Sequence, residues 1–186
     1  MGSVKLVKVA RIGKYVFPTN LYYYMGEEPH KHVWVETQPD GNVKIGLDHY
    51  AAQPMIQAKG PHELPFLVDL PLVNEKIEQG KPFGNLESAK YAGPFYSPVS
   101  GTVVGVNEQR CARPPTPIPS GAMSAYGEGW LLIIKPNNFQ EDLKQLVTGE
   151  AAMNEILRDL RALAAANPFA EEGNEEFKDG YVVGEL

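Results

Sequence analysis

Between Tyr22 and Val106, runs of β-branched and aromatic residues are broken by Gly, Pro or Asn-Gly-like pairs. The breaks come about every eight to twelve residues, the rhythm of an all-β sandwich or barrel. In "HVWVET" the alternation puts Val33 and Val35 on one face and Trp34 on the other. "PDGN" then offers the Asp40-Gly41 pair, which tolerates positive φ, and "VKIGL" resumes the alternation. Together these predict a hairpin. Asp48 stands where its carboxylate can cap a short helical turn over "DHYAAQ", with Pro54 to stop it. Met55 to Pro65 carries no period. Strand character returns in "FLVDLP", in "KIEQGKPFGNLES" and in "FYSPVSGTVVGVN", where Gly101 and Gly105 mark tight bends or close backbone approach. "GWLLIIKP" is continuously apolar, as a fully buried strand is, and Pro136 closes it.

Two stretches break the β rhythm. From Gln109 to Ala125 the prolines of "QRCARPPTPIPSGAMSA" cannot donate to a ladder and predict a loop without regular structure. After Pro136, "NFQEDLKQLVTG" reads as a helix ending at Gly149. "EAAMNEILRDLRALAAANP" reads as a second, with Met153, Ile156, Leu157, Leu160 and Leu163 in one apolar stripe. The acidic "FAEEGNEEFKDGYVVGEL" has no period and is either disordered or an arm docking through Tyr181, Val182 and Val183. The expected division is an N-terminal extension (1–21), a β domain (22–136), C-terminal helices packed on it (137–166) and an acidic tail (167–186).

Length and composition narrow the class. A chain of 186 residues with 43% hydrophobic content can bury one sizeable core. A net charge of −6 and a pI of about 5.3 disfavour a nucleic-acid partner, which calls for a basic face. No segment reaches the length of a membrane span and no secretory signal opens the chain, so a cytoplasmic protein without a membrane partner is expected. The one cysteine, Cys111, allows no internal disulfide and too few thiolates for a sulfur-rich zinc site.

No catalytic constellation emerges. His30 and His32 would share a face of an extended chain but lack a third ligand, so ordinary histidines are the simpler reading. His49 and His62 are isolated. Cys111 lies between Arg110 and Arg113, whose charge favours a thiolate; a redox or partner loop is one reading and a plain free thiol the other. Trp34, Tyr126 and Trp130 read mainly as core or groove residues. Lys90 is different in its company. Most lysines are simply solvated, but this one sits in "LESAKYAGPFYSP" among Ser88, Ala89, Ala92 and Gly93 with strands on both sides. Flanking strands would hold it outward on an uncluttered turn, within reach of a modifying enzyme.

That stretch resembles the lipoyl-attachment hairpin of the glycine cleavage system H protein family. The shared motif is Glu-Ser-x-Lys followed by Tyr-x-Pro-Val-Ser-Gly, here Glu87, Ser88 and Lys90, then Tyr96, Pro98, Val99, Ser100 and Gly101. "HVWV", "IGLDHYA", "VDLP", "VVGVN" and "YGEGWL" are similar too, in the same order. The resemblance implies a mainly β fold, the lipoyl-domain barrel-sandwich hybrid of antiparallel sheets with C-terminal helices, and makes 22–136 the lipoyl-carrier domain. It implies lipoic acid in amide linkage to Lys90, with Glu87 and Ser88 shaping the hairpin for a lipoate ligase or lipoyl transferase. The chain would then be a carrier, not an enzyme. Its arm would visit glycine decarboxylase, aminomethyltransferase and dihydrolipoamide dehydrogenase. Alternatively, as in the related lipoate-binding proteins of sulfur oxidation, it would serve a heterodisulfide-reductase-like complex. A third reading is an unlipoylated binding or regulatory module. Biotin ranks below lipoate because Ala89 and Tyr91 flank the lysine where biotin sites carry methionines. The stretch from Pro54 to Phe66, the proline-rich loop with Cys111 and both terminal extensions depart from the family pattern and bear on the partners.

Overall fold

The structure, a computed structural model, describes residues 6–26, 32–56, 66–68, 70–88, 91–111, 118–121, 123–166 and 177–186. In chain order the elements are β1 (Lys8–Ile12), β2 (Tyr15–Pro18), β3 (Tyr22–Tyr24), β4 (Val33–Thr37), β5 (Val43–Leu47) and α1 (Gln53–Ile56). There follow β6 (Phe66–Val68), β7 (Lys76–Ile77), β8 (Pro82–Ser88), β9 (Tyr91–Tyr96), β10 (Gly101–Val106) and α2 (Glu108–Cys111). The last are β11 (Trp130–Pro136), α3 (Phe139–Asp142) with a 3-10 turn over Leu143–Gln145, β12 (Leu146–Thr148), α4 (Gly149–Ala166) and β13 (Val182–Glu185). The chain forms two compact units. One is Tyr23–Leu146; the other joins both ends, Met1–Tyr22 with Val147–Leu186.

In the Tyr23–Leu146 unit, one sheet has the neighbours β3, β4, β5, β11, β10 and β7 in that order, and a second has β6, β8 and β9. The β4–β5 hairpin pairs from Val33↔Leu47 to Thr37↔Val43. Its turn is closed by the Gln38 N–H donating to Asn42 O at 2.8 Å, with Gly41 at a φ of 83° that a Cβ would resist. β11 inserts between β5 and β10 although both precede it by many residues. Its register with β10 shifts between Val103 and Gly105. Trp34 fills the core at 0% exposure, and its indole N–H donates to Leu47 O at 2.9 Å, which gives the buried ring's one polar atom a partner. Opposite it in register is Gly46, where a Cβ would fall 2.6 Å from Trp34 Cζ2. The ring occupies the space that any larger residue at 46 would need.

Three sequence expectations give way here. Pro54 does not end the turn after Asp48 but lies inside α1. A proline in the first turn of a helix costs nothing in hydrogen bonds, because the N–H it lacks would have no helical acceptor there. The expected irregular loop from Gln109 begins with α2, where Arg110 N–H donates to Asn107 O at 3.0 Å; residues 112–117 and 122 lie outside the described residues. The helix expected to run to Gly149 stops early, with Leu146 already extended at φ −107°, ψ 144°. β-Branched Val147 and Thr148 suit the strand β12 that follows, and Gly149, at φ 61°, opens α4 instead of capping a helix.

In the unit made of the chain ends, β1 lies between β13 and β2, both antiparallel to it. Thr148 Oγ donates to Leu21 O at 2.7 Å and Gly149 N–H to Thr19 O at 3.1 Å. α4 buries Ala152, Met153, Ile156, Leu157 and Leu160, while Leu163 is 36% exposed, so the apolar stripe ends one turn sooner than its spacing suggests. Arg161 donates to the carbonyls of Phe177 and Lys178, at 2.9 Å each. The tail therefore leaves α4 fastened and closes as β13 on β1.

Candidate functional site

The β8–β9 hairpin carries the Lys90 stretch. The strands pair from Pro82↔Tyr96 through Glu87↔Ala92 to Ser88↔Tyr91, with a register shift between Pro82 and Gly84. Ala89 and Lys90 make up the whole link between Ser88 and Tyr91, and both lie outside the described residues. β6 supports the outer side of β8 through Phe66↔Glu87, Leu67↔Leu86 and Val68↔Asn85. Glu87 is exposed, next to the last paired position of β8.

The base of the hairpin is bound tightly. Phe83 and Phe95, both 4% exposed, set their rings 6.2 Å apart between the two strands. The Ser97 N–H donates to Lys81 O at 2.8 Å and the Gly80 N–H to Ser97 O at 2.9 Å. The Ser97 hydroxyl donates to Val99 O at 2.7 Å, which satisfies a side chain that is wholly buried. Gln79 ties distant segments together: its side-chain amide donates to Pro98 O at 2.8 Å and Asp142 O at 2.9 Å, while its N–H donates to Ser100 Oγ at 2.9 Å. The Ser100 N–H donates to Asp142 Oδ2 at 3.2 Å. Burial raises the Asp142 pKa above the ordinary carboxylate value, against the lowering effect of Ser100's hydrogen bonds. In "YSPVSG", then, Ser97 and Ser100 are anchors of the strand corner that feeds β9 into β10.

A buried polar cluster lies beside β4 and β5. The His32 Nδ1–H donates to Asp48 Oδ2 at 2.6 Å, with His32 3% and Asp48 0% exposed. Asp48 Oδ1 accepts from the N–H groups of Tyr50 and Ala51, at 3.0 Å each, which is the cap expected from the sequence. His32 sits at φ 74°, uncommon for a side-chain-bearing residue. The His49 N–H donates to the Tyr126 hydroxyl at 3.1 Å. Burial first, and then the Asp48 charge, raise the pKa of Tyr23 well above the usual phenol value. Burial, then the Tyr23 and Asp48 charges, do the same at Tyr126. The cluster is a structural one, since its members satisfy each other and hold two strand ends.

His49 makes this cluster sensitive to acid. It is 8% exposed, and burial pulls its pKa below the ordinary histidine value, against the raising effect of Asp48. Because the unfolded chain takes up that proton near pH ~6.5 and the folded chain resists it, stability contributed by neutral His49 is lost as pH falls below ~6.5. His49→Gln should therefore shrink the drop in urea midpoint between about pH 7 and about pH 5. An unchanged drop would refute the assignment to His49.

Of the other sequence candidates, Cys111 is the last residue of α2 and adjoins Arg110, whose side chain is 1% exposed. His30 and His62 lie outside the described residues. Among the described residues no group of three or more His, Cys, Asp and Glu is placed to hold a metal ion, and no helix is long and apolar enough to cross a membrane. The His32–Asp48 pair was missed in the sequence: its members are 16 residues apart, and the signal that points to it is the β4–β5 register, which sets position 32 opposite 48 just beyond Val33↔Leu47.

A family model described as glycine cleavage H-protein matches residues 21–159. The chain belongs to the glycine cleavage H-protein family. "Glycine cleavage system H protein 2" of Aquifex aeolicus is 33% identical over 141 residues, covering 76% of this chain and 78% of the relative. The "Probable glycine cleavage system H protein" of Pyrococcus furiosus is 34% identical over 140 residues, covering 75% and 92%. The crystal structure of a glycine cleavage system H protein from Mycobacterium marinum superposes with a TM-score of 0.53 at 26% identity, covering 75% of this chain and 98% of that one. The fold class read from the sequence, mainly β with antiparallel sheets and a C-terminal helix, is that of the H-protein family. H proteins are lipoyl carriers and carrier subunits of the glycine cleavage system. Strands β1, β2 and β13 fall outside the span that the family model matches.

Proposed function

We propose that this chain carries lipoic acid on Lys90 and serves glycine cleavage. The observation that supports it most is the β8–β9 register, which runs to Ser88↔Tyr91 and leaves two residues, Ala89 and Lys90, as the link. The residues present suit such a group. An acyl lysine arm needs a firm mounting that does not itself bend, and β6, the Phe83–Phe95 pair and the Gln79 bridge brace the hairpin from below. Exposed Glu87 and neighbouring Ser88 are the positions from which a lipoate ligase or lipoyl transferase would recognise the hairpin. When attached, the dithiolane would supply a strained disulfide that a thiolate or a substrate carbon nucleophile can open, leaving the cargo on one sulfur and a thiol on the other. The chain's own part is to fix one end of the arm and so keep its free end at high effective concentration near docked partners. Those partners are glycine decarboxylase, aminomethyltransferase and dihydrolipoamide dehydrogenase.

Co-expression with lipoate ligase followed by intact mass and peptide mapping tests the attachment: one lipoyl group is expected, on the peptide containing Lys90. An unmodified chain, or a group on another lysine, would overturn it. The lipoylated protein should then support glycine decarboxylation with purified decarboxylase. Failure of fully lipoylated protein would remove the glycine reading and leave the carrier reading standing.

A further inference from the structure

We propose that the free edge of β13 pairs with the same edge of a second copy of this chain, antiparallel and centred on Gly184. Among the described residues β13 is the outer strand of the sheet β13–β1–β2. The Val7 N–H donates to Leu186 O and the Leu186 N–H to Val7 O, at 3.1 Å each, so these two residues form a hydrogen-bonded pair. The register continues through Lys8↔Glu185, Val9↔Gly184, Ala10↔Val183 and Arg11↔Val182 without a shift. Antiparallel pairs alternate between bonded and non-bonded. Hence Val182, Gly184 and Leu186 spend their backbone groups on β1, while the N–H and C=O groups of Val183 and Glu185 point away from it, along the open edge.

An open edge of this kind is usually guarded by charged side chains, above all Lys, by Pro or by a bulge. Val182-Val183-Gly184-Glu185 has no Lys, Pro or bulge, its one charge, Glu185, stands opposite Lys8, and Val182, Val183 and Leu186 are 71%, 50% and 40% exposed. The edge is also self-complementary. With a two-fold axis at Gly184, Val183 of each copy exchanges hydrogen bonds with Glu185 of the other, which uses every outward backbone group from 183 to 185. The same register sets Val182 opposite Leu186 of the second copy, twice, and so covers both exposed side chains. Gly184 meets Gly184 in the close non-bonded pair, and nothing in its own chain comes within 4 Å of a Cβ there. Lys8 of β1 stands directly opposite Glu185, so each acid flanking the axis arrives with a base beside it. An axis at Val183 also satisfies the alternation, but it wastes Val182 on Gly184 and leaves Leu186 uncovered. Two three-stranded sheets become one continuous sheet across the pair.

The test uses the chain of 186 residues. Light scattering across a concentration series should show a dimer. Val183→Pro, which deletes an outward N–H that β1 does not use, should make it monomeric. In a Cys111→Ser background, Gly184→Cys should form a disulfide-linked dimer under mild oxidation, because the Cα atoms of a facing non-bonded pair lie about 4.5 Å apart. Val183→Cys in the same background should not. A wild-type chain that stays monomeric at every concentration overturns the proposal, as does a dimer that survives Val183→Pro. If Val183→Pro fails to fold, the cysteine pair decides: cross-linking through 184 alone supports this register, and cross-linking through 183 or through neither refutes it.

Discussion

Lys90→Arg protein, co-expressed with lipoate ligase, is expected to carry no lipoyl group and to support no glycine decarboxylation, while its urea midpoint stays at the wild-type value. The effect should be all or none. Acylation needs a free amine, and a guanidinium, which stays protonated throughout the working pH range, never offers one, although it keeps the charge. The fold should not notice, because the pairing that makes the hairpin ends at Ser88↔Tyr91 and its packing lies lower, at Phe83 and Phe95. Intact mass reads the first result, exchange of the glycine carboxyl carbon the second and urea denaturation the third. A lipoylated Lys90→Arg chain would mean that the attachment point is elsewhere.

Asp48→Ala should destabilise the Tyr23–Leu146 unit by about 3–5 kcal/mol, the usual cost of breaking a buried pair from one side. Three donors lose an acceptor at once: the His32 imidazole at 2.6 Å and the N–H groups of Tyr50 and Ala51 at 3.0 Å. His32 also holds a left-handed backbone conformation, which costs on the order of 1–3 kcal/mol and persists only while its surroundings enforce it. Asp48→Asn keeps an acceptor for the two amides and should lose less. Urea unfolding of the three proteins at neutral pH decides the matter. A loss below about 1 kcal/mol in Asp48→Ala, the size of a helix cap alone, would show that the His32 contact contributes nothing.

What the sequence made legible follows the range of the interactions. The β4–β5 hairpin is written in adjacent residues, Val33 to Leu47, with Asp40-Gly41 at the bend, and it formed as read. The cap at Asp48 is equally local. The stretch before Gly149 misled because Leu143 and Leu146 keep helical spacing, while Val147 and Thr148 take the extended form that their branched side chains favour. Pro54 misled because a proline reads as a stop only when its place in the helix is known. The His32–Asp48 contact is one step beyond the last pair of the β4–β5 hairpin, Val33↔Leu47, whereas the Gln79 bridge to Asp142, 63 residues away, leaves no mark in any window and exists only once the sheets have assembled. The hairpin bearing Lys90 sits between these cases: its strands read directly from the chain, but the meaning of its lysine came from the order of motifs around it.

Asn107 follows β10, and its contacts reach to the far side of the proline-rich stretch. Its N–H donates to Leu131 O at 2.9 Å, and its side-chain amide to Glu128 O at 3.1 Å and Trp130 O at 2.8 Å. The two ends of everything between β10 and β11 are thus stapled at a single residue. Closing a longer loop at such a stem costs only ~0.6 kcal/mol for each doubling of its length. A replacement of the stretch containing Cys111 therefore keeps the register of β10 with β11 only if it spares Arg110, Ile118, Ala125 and Tyr126, which are buried.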